Sequence, residues 1–257
     1  MDYVPTQIAD IERMPRGGPD ASCLDRLLET DRQEYLDRDD VDARLKRSVI
    51  SALEWTGERF GNTEKFATIV LDEVADVPDP TILELGAGHG ALSRKLLDWH
   101  PTAQLTVTDV DDESVRAIAA GDLGGQNRVT VRHMDATVID APDGYYDLAV
   151  FALSFHHLSP TLASQAIAEG TRAAAKLVII DLPRPPSPLH LLRLATMLPF
   201  APWLPFAHDG VISSLRTYSP SALRALAAHA DPTIDVELRG GPLSPQVVVA
   251  RRRDQSR

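Results

Sequence analysis

The sequence predicts an α/β protein built on a doubly wound parallel sheet, and three observations carry that prediction. From residue 81 onward, short β-branched runs alternate with amphipathic helical patterns, the order that gives a parallel sheet with helices on both faces. A turn with glycines at alternate positions, Gly86, Gly88 and Gly90, joins the first run to the first helix. Acidic residues follow the next two runs, at Asp109 and Asp135.

Composition and charge restrict the classes of function. The chain has 257 residues, 44% of them hydrophobic and 25% charged, which is ordinary for one α/β domain with an extension. The formal net charge of -11 argues against a broad phosphate-binding surface, so we expect no nucleic-acid partner. The single cysteine, Cys23, excludes an internal disulfide and a cysteine zinc site.

Targeting signals are absent from the sequence pattern. Residues 1–5 show no basic region followed by an apolar core, so no signal peptide is predicted. The longest apolar stretch, residues 189–206, contains Arg193 and several prolines and does not read as a membrane helix. We therefore expect a cytoplasmic protein with no membrane span.

Residues 1–79 are predicted to form an N-terminal arm and a helical cap. The arm covers residues 1–20 and ends in a glycine-rich stretch. Apolar residues at helical spacing then predict three helices: one around residues 24–28, one from about residue 45 that stops near Gly57, and one that starts at Asn62 or Thr63 and ends before Val77. The last of these ends there because a residue before proline avoids the helical conformation.

Residues 80–257 are predicted to form the α/β domain. The predicted strands are 81–85, 104–109, 129–133, 147–153, 176–181, 233–239 and 245–251. Helices are predicted at about 90–99, 112–120 and 160–174, with a further helix capped by Ser219 and Pro220. The last two strands are joined through Gly240, Gly241 and Pro242, and such a short link favours an antiparallel hairpin.

An apolar, proline-rich insertion occupies about residues 184–215. It follows the fifth strand, so we expect it above the mouth of a site at the carboxyl edge of the sheet. One hypothesis is that it forms a substrate lid that lines an apolar pocket. Core packing or a homodimer interface is an equally good interpretation.

The stretch Glu84-Leu85-Gly86-Ala87-Gly88-His89-Gly90 resembles the signature of the class I S-adenosylmethionine-dependent methyltransferases, in the branch that acts on small molecules. Residues 146–158 are similar to the family's fourth-strand block, which commonly ends in His-His-Leu. The resemblance covers about residues 80–251. It implies a seven-stranded Rossmann-like methyltransferase sheet with an antiparallel last strand, S-adenosyl-L-methionine as cofactor and S-adenosyl-L-homocysteine as product.

The resemblance also implies a role for each matching position. Glu84 would organise the glycine turn and the methionine end of the cofactor, and Asp109 would hold the ribose. The remaining positions would line the cofactor: the turn residues Gly86, Ala87, Gly88 and Gly90, then Val110, Asp135 and Ala136 around the adenine, and Ala152 and Leu153 on the fourth strand.

Two alternatives remain open. Gly86, Gly88 and Ala91 also satisfy the fingerprint of dinucleotide-binding folds, which would suit an NAD(P)-dependent oxidoreductase. The methyltransferase reading is favoured because Glu84 stands two residues before the first glycine and because about 80 residues precede the turn. A non-catalytic cofactor-binding module is the second alternative.

The reaction chemistry points to His156 as the candidate catalytic residue. Methyl transfer from a sulfonium needs mainly an aligned acceptor, and a base assists where the acceptor loses a proton. His156 and His157 follow the fourth strand at the edge where ligands bind, although histidines there also serve as bonded pocket walls. We expect a small lipophilic or aromatic acceptor, with oxygen favoured over carbon or nitrogen.

No metal site is predicted. His156 can in principle join other polar residues at the same edge, namely Asp181, His208, Asp209 and Tyr218. Their spacing matches no defensible ligand pattern. Capping by Asp181 and a turn at Asp209 and Gly210 are the preferred interpretations.

Overall fold

The computed structural model describes residues 11–38, 40–201, 203–241 and 244–253. Its centre is one seven-stranded sheet with the order β3-β2-β1-β4-β5-β7-β6. The strands are β1 Thr81–Leu85, β2 Gln104–Asp109, β3 Val129–His133, β4 Tyr146–Ala152, β5 Ala174–Asp181, β6 Ile234–Arg239 and β7 Gln246–Arg252. The first five are parallel, whereas β7 runs antiparallel to both β5 and β6. The predicted fold class is confirmed.

Strand bounds differ from the predicted ones by two residues at most. β5 begins at Ala174 rather than at residue 176, because Ala174 pairs with Tyr146 although alanine is a poor strand former. The predicted antiparallel hairpin is confirmed by the pairing of β6 with β7. Gly240 has φ +103°, and Pro242 of the predicted link lies outside the described residues.

Nine α-helices are described in these ranges. They are α1 Cys23–Leu27, α2 Ala43–Phe60, α3 Asn62–Glu73, α4 Ala91–Trp99, α5 Asp112–Ala120, α6 Pro160–Ala173, α7 Ser187–Met197, α8 Pro205–Arg216 and α9 Pro220–Ala230. The hydroxyl of Ser159 accepts the N–H of Leu162 at the start of α6, as the capping pattern predicts. No helix in the described part of the chain is long and apolar enough to cross a membrane.

The sheet separates two hydrophobic layers. Neighbouring strand residues point to opposite faces, so Ile82 packs with α3, α4 and α5, whereas Leu83 packs with α6 and α9. Both side chains are at most 1% exposed. The central strands are covered on both faces, which leaves their carboxyl ends as the edge where a ligand can reach the sheet.

The N-terminal helices depart from the prediction in one respect. α2 continues past Gly57 to Phe60, so the prediction that it stops near Gly57 is wrong. A helix tolerates glycine at some cost, so α2 continues through Gly57. The helix ends before Gly61, which adopts the left-handed conformation with φ +61°. α3 starts at Asn62, as predicted.

Residues 11–38, which we call the N-terminal strap, pack on the α/β domain itself. Ile11 and Met14 are buried in the same hydrophobic layer as α6 and α9. The strap therefore contributes directly to the core of the α/β domain. The division of the chain into two domains at residue 79 stays a prediction. Residues 1–10 of the predicted arm lie outside the described residues.

The apolar insertion forms two helices, α7 and α8, that contact each other. The prolines within the apolar stretch do not prevent these two helices from forming. Pro188 and Pro205 stand at the first turns of α7 and α8, where a missing N–H costs nothing. α8 also packs on α2, so the insertion joins the N-terminal helices to the sheet.

Candidate active site

The turn after β1 is built from glycines in the left-handed conformation. Gly86, Gly88 and Gly90 have φ of +66°, +58° and +78°. A Cβ on Gly86 would lie 2.8 Å from Oγ of Ser154, so no side chain fits there. A Cβ on Gly88 would meet no atom within 4 Å. The turn is closed against the protein at Gly86 and open at Gly88, where another molecule can approach the backbone.

Asp109 fastens this turn to the end of β2. Its Oδ2 accepts the N–H of Gly88 at 2.8 Å, and its Oδ1 accepts the N–H of Asp111 at 2.9 Å. The residue is only 8% exposed. Each carboxylate oxygen has a second lone pair, so Asp109 can hold the turn and still accept hydrogen bonds from a diol.

Glu84 lies beneath the turn and is 4% exposed. Burial raises the pKa of its carboxyl to about 7, with the nearby charge of Asp109 acting in the same direction, while a hydrogen bond from the Ser93 hydroxyl opposes them. Glu84 is therefore close to half-ionised at neutral pH. A cation placed near it would favour the ionised form.

The remaining predicted cofactor positions follow the carboxyl ends of neighbouring strands. Val110 follows β2 directly and is 64% exposed. Oδ1 of Asp135 accepts the N–H and the hydroxyl of Thr137, so Asp135 also shapes a turn beside half-buried Ala136. Parallel strands bring these positions and the glycine turn to one edge of the sheet. Their contacts with a cofactor stay a prediction.

The end of β4 supplies the opposite wall. Ala152 and Leu153 are half-buried. Leu153 has φ +59°, the one positive φ outside glycine among the residues that the structure describes. Such strain persists where the surroundings enforce it, often at ligand sites. Its neighbour Ser154 donates to the carbonyl of Leu85, a link between β4 and the glycine turn that no sequence pattern indicated.

His156 is buried between two carboxylates. Its Nδ1 lies 2.8 Å from Oδ1 of Asp181, and its Nε2 lies 3.2 Å from Oε1 of Glu34. These carboxylates raise the pKa of the imidazole to about 9, against the opposing effect of burial. In this arrangement His156 holds a proton at neutral pH and has no lone pair to take one from an acceptor. Its predicted role as a base stays a prediction that requires Glu34 to move.

Sequence reasoning missed Glu34 because nothing local marks it. It lies in the N-terminal strap, 122 residues before His156, and it also accepts from the Ser213 hydroxyl at 2.7 Å. No sequence pattern joins the strap to the end of β4. Only the packing of the strap across the sheet edge brings them together.

Buried arginines hold the strap in place. Arg16 donates from Nη1 to the carbonyls of His156 and Leu158 and stacks on the Tyr218 ring. Arg184 donates to four carbonyls, two in the strap and two at the end of α8: Asp25, Leu28, Leu215 and Thr217. The strap is therefore attached to the carboxyl edge by backbone contacts that do not depend on side-chain carboxylates.

The other polar residues considered from the sequence lie around the same cluster. His157 Nδ1 lies 2.8 Å from Oδ2 of Asp37. Asp209 Oδ1 accepts the N–H of Tyr35 at 2.9 Å, and the Tyr35 ring stacks on His208. The Tyr218 hydroxyl donates to the carbonyl of Leu158. The contacts of Asp37 and Tyr35 attach the strap. Asp209 and Gly210 lie within α8, so the turn predicted there is wrong.

Comparisons with known proteins identify the central part of this domain. Residues 82–176 match the family described as Methyltransferase domain. A malonyl-[acyl-carrier protein] O-methyltransferase of Geobacter sulfurreducens is 36% identical over 94 residues, which are 37% of this chain and 34% of the relative. The chain thus spans about a third of the length of this curated relative.

Two solved structures share the fold over most of the chain. The plantazolicin methyltransferase BpumL, in complex with a pentazolic desmethylPZN analog and SAH, has a TM-score of 0.63 and 12% identity, with coverage of 90% of this chain and 97% of that one. Human N-acetylserotonin methyltransferase in complex with SAM has a TM-score of 0.57 and 18% identity, with coverage of 86% and 63%. The strand order, the glycine turn and the matching family lead to one assignment. Residues 82–176 match a methyltransferase domain, and the sheet has the strand order of the class I S-adenosylmethionine-dependent methyltransferase fold.

Proposed function

We propose that this protein transfers a methyl group from S-adenosyl-L-methionine to an oxygen of a small lipophilic or aromatic acceptor and releases S-adenosyl-L-homocysteine. One observation carries the proposal: the left-handed turn after β1 is open at Gly88 and is fixed there by the carboxylate of Asp109. It lies at the centre of a doubly wound sheet, the place where such folds bind nucleotide-type ligands.

The residues present suit this cofactor. The backbone of Gly86, Gly88 and Gly90 would lie along its methionine end, and Asp109 would accept from its ribose hydroxyls. The cofactor's ammonium group would draw Glu84, whose pKa is about 7, toward its ionised form. The pocket would be completed by exposed Val110, by Asp135 and Ala136 around the adenine, and by Ala152 and Leu153 from β4.

The cofactor supplies a methyl group already activated on a sulfonium. The protein's main task is then to hold the acceptor oxygen in line with that methyl group and to exclude water. Positioning of this kind contributes roughly 7–11 kcal/mol in favourable intramolecular reactions. No further chemical group is needed for an acceptor that is already ionised.

A neutral hydroxyl acceptor must also lose a proton. We retain His156 as the candidate base for a state in which the acceptor oxygen replaces Glu34 at Nε2. Asp181 would then stay on Nδ1 and hold the ring in orientation, as a carboxylate does for other catalytic histidines. In the observed contact, Glu34 acts instead as a positioning residue that keeps the N-terminal strap over the site.

The acceptor class rests on two supports. The curated relative is named for O-methylation of malonyl-[acyl-carrier protein], which favours oxygen here, while carbon and nitrogen remain alternatives. Exposed apolar side chains on and between α7 and α8, such as Leu192 at 63% and Trp203 at 84%, offer contacts to a lipophilic molecule. The same exposed residues would suit a homodimer, and we keep that assembly and a cytoplasmic location as further proposals.

A methyl-release assay tests the function. The purified chain is supplied with methyl-labelled S-adenosylmethionine and a panel of hydroxylated, aromatic and acyl metabolites, and labelled product is extracted. Transfer to at least one oxygen acceptor supports the proposal. Binding of cofactor with no transfer to any panel member would favour the non-catalytic module instead.

The apolar lid has its own test once an acceptor is found. Trp203→Ala and Phe206→Ala should raise the KM for the acceptor much more than the Kd for the cofactor. Equal losses of both would contradict a lid role for the insertion. Trp99→Ala, which changes a half-exposed tryptophan on α4, is the control. A rise in the KM for the acceptor as large in this variant as in Trp203→Ala would also contradict the lid role.

A further inference from the structure

A buried cluster beneath the N-terminal strap has the composition of a metal site. Glu34, His156 and His157 each present one ligand atom, and these atoms all lie within 4.8 Å of one another. We propose that they bind one divalent first-row metal ion of the zinc class. Two imidazoles and a carboxylate are a ligand set that such ions prefer.

The spacing of His156 and Glu34 suits a shared ion. Nε2 of His156 and Oε1 of Glu34 are 3.2 Å apart. Two ligands on a tetrahedral ion with bonds of about 2.1 Å are roughly 3.4 Å apart, so an ion fits with little movement. Only the His157 ring must approach further, and it lies at the rim, where its side chain is 29% exposed.

An independent feature is that each histidine has its own carboxylate on Nδ1. Asp181 lies 2.8 Å from Nδ1 of His156, and Asp37 lies 2.8 Å from Nδ1 of His157. Histidines that bind metals almost always donate their other ring N–H to such a group, which fixes the ring and makes it a better ligand. With both Nδ1 atoms engaged, the two Nε2 atoms are the ones left to bind an ion.

Charge favours the same conclusion. Glu34, Asp181 and Asp209 are each at most 6% exposed, and Oδ2 of Asp209 has no hydrogen-bond partner in the described residues. Buried negative charge costs free energy unless a cation compensates it.

The ion would link two distant parts of the chain. Glu34 lies in the strap, whereas both histidines follow β4. A bound ion would therefore attach the strap to the carboxyl edge of the sheet. Three protein ligands leave one position of a tetrahedral ion for water. The test concerns binding of the ion by the protein without cofactor or acceptor. A bound ion would occupy the Nε2 atom of His156 that the candidate base needs, so the two roles of His156 exclude each other.

The experiment uses the full chain after treatment with a chelator. Co²⁺ is titrated while the visible spectrum is recorded, and Zn²⁺ then competes for the same site. We expect one ion per chain in the wild type and at least a roughly tenfold loss of affinity in both Glu34→Gln and His157→Gln. His229→Gln, which changes an exposed histidine on α9, should bind as the wild type does.

Two outcomes overturn the proposal: no binding by the wild type beyond adventitious surface binding, or a loss below tenfold in either variant. Circular dichroism establishes that each variant is folded. Should Glu34→Gln fail to fold, His157→Gln decides alone, because its side chain lies at the rim. Zn²⁺ should also raise the melting temperature of the wild type but not that of His157→Gln.

Discussion

The carboxylate of Asp109 accepts the backbone N–H of Gly88 at 2.8 Å, so the end of β2 determines the shape of the turn that follows β1. Neither residue could form this site alone. Gly88 supplies bare backbone beside open space, and Asp109 holds that backbone while keeping lone pairs for a ligand. The first two predictions test the two halves of this contact separately.

Replacing Asp109 should remove cofactor affinity. Asp109→Ala loses the acceptor for the ribose hydroxyls and frees the Gly88 N–H, and hydrogen bonds to a charged group contribute about 1.5–3 kcal/mol each. We therefore expect the Kd for S-adenosylhomocysteine, measured by calorimetry, to rise at least about tenfold. Asp112→Ala, three residues further and exposed on α5, is the matched control and should bind normally. Equal affinity of the two variants would contradict the assignment.

Gly88→Val should abolish cofactor binding for a different reason. A branched side chain at φ +58° is strained by about 1–3 kcal/mol and fills the open space beside the turn. Gly144→Val separates these effects, because Gly144 has φ +62°, also has no neighbour within 4 Å of its Cβ, and lies at the opposite edge of the sheet. The melting temperature should fall by a similar amount in both variants. Only Gly88→Val should lose binding of S-adenosylhomocysteine.

Glu84 should make the free energy of unfolding depend on pH. Its pKa is raised from 4.5 to about 7 in the folded protein, so the folded state binds more protons than the unfolded state between these values. The resulting stabilisation is fully present below about pH 4.5 and is lost as pH rises through about 7, a loss on the order of 3 kcal/mol. Glu84→Gln should remove this part of the dependence in urea unfolding curves measured from pH 4 to pH 8.

The control for Glu84 is Glu113→Gln, which changes an exposed carboxylate on α5 and should keep the wild-type dependence on pH. Unchanged unfolding curves in Glu84→Gln across the whole range would show that this carboxyl is not the group responsible. A second readout follows from the same linkage. Cofactor binding that favours ionised Glu84 should release protons near pH 6, detectable as a heat of binding that varies with the buffer.

Arg184 should be a main attachment of the N-terminal strap. It is 5% exposed and donates to four carbonyls, so Arg184→Met leaves several buried acceptors unpaired, at about 1–3 kcal/mol each. We expect a marked fall in melting temperature and faster proteolysis between residues 20 and 38. Arg224→Met, on the exposed surface of α9, should have neither effect. A strap that resists protease equally in both variants would show that its attachment lies elsewhere.

The sequence was informative wherever the signal is local. The alternation of strands and helices, the glycine turn after β1 and the serine caps of α6 and α9 depend on neighbouring residues, and each appears where it was predicted. The sequence analysis predicts no helix in the proline-rich insertion, yet α7 and α8 form there with Pro188 and Pro205 at their first turns. A proline starts a helix as readily as it ends one, and only the following residues distinguish the two.

The contacts of His156 could not be predicted from local pattern. Its two carboxylate partners, Glu34 and Asp181, are 122 and 25 residues away in sequence. They meet only after the sheet has formed and the strap has packed across its edge. The sequence predicts that His156 lies at the carboxyl edge of the sheet. It does not predict that both ring nitrogens contact carboxylates there.

The most direct test of the central claim is a calorimetric titration of the purified chain with S-adenosylhomocysteine and, separately, with NADH. The glycine turn and Asp109 predict one site per chain for S-adenosylhomocysteine, with a micromolar dissociation constant, and no saturable heat with NADH. Saturable binding of NADH without binding of S-adenosylhomocysteine would contradict the account and favour an oxidoreductase.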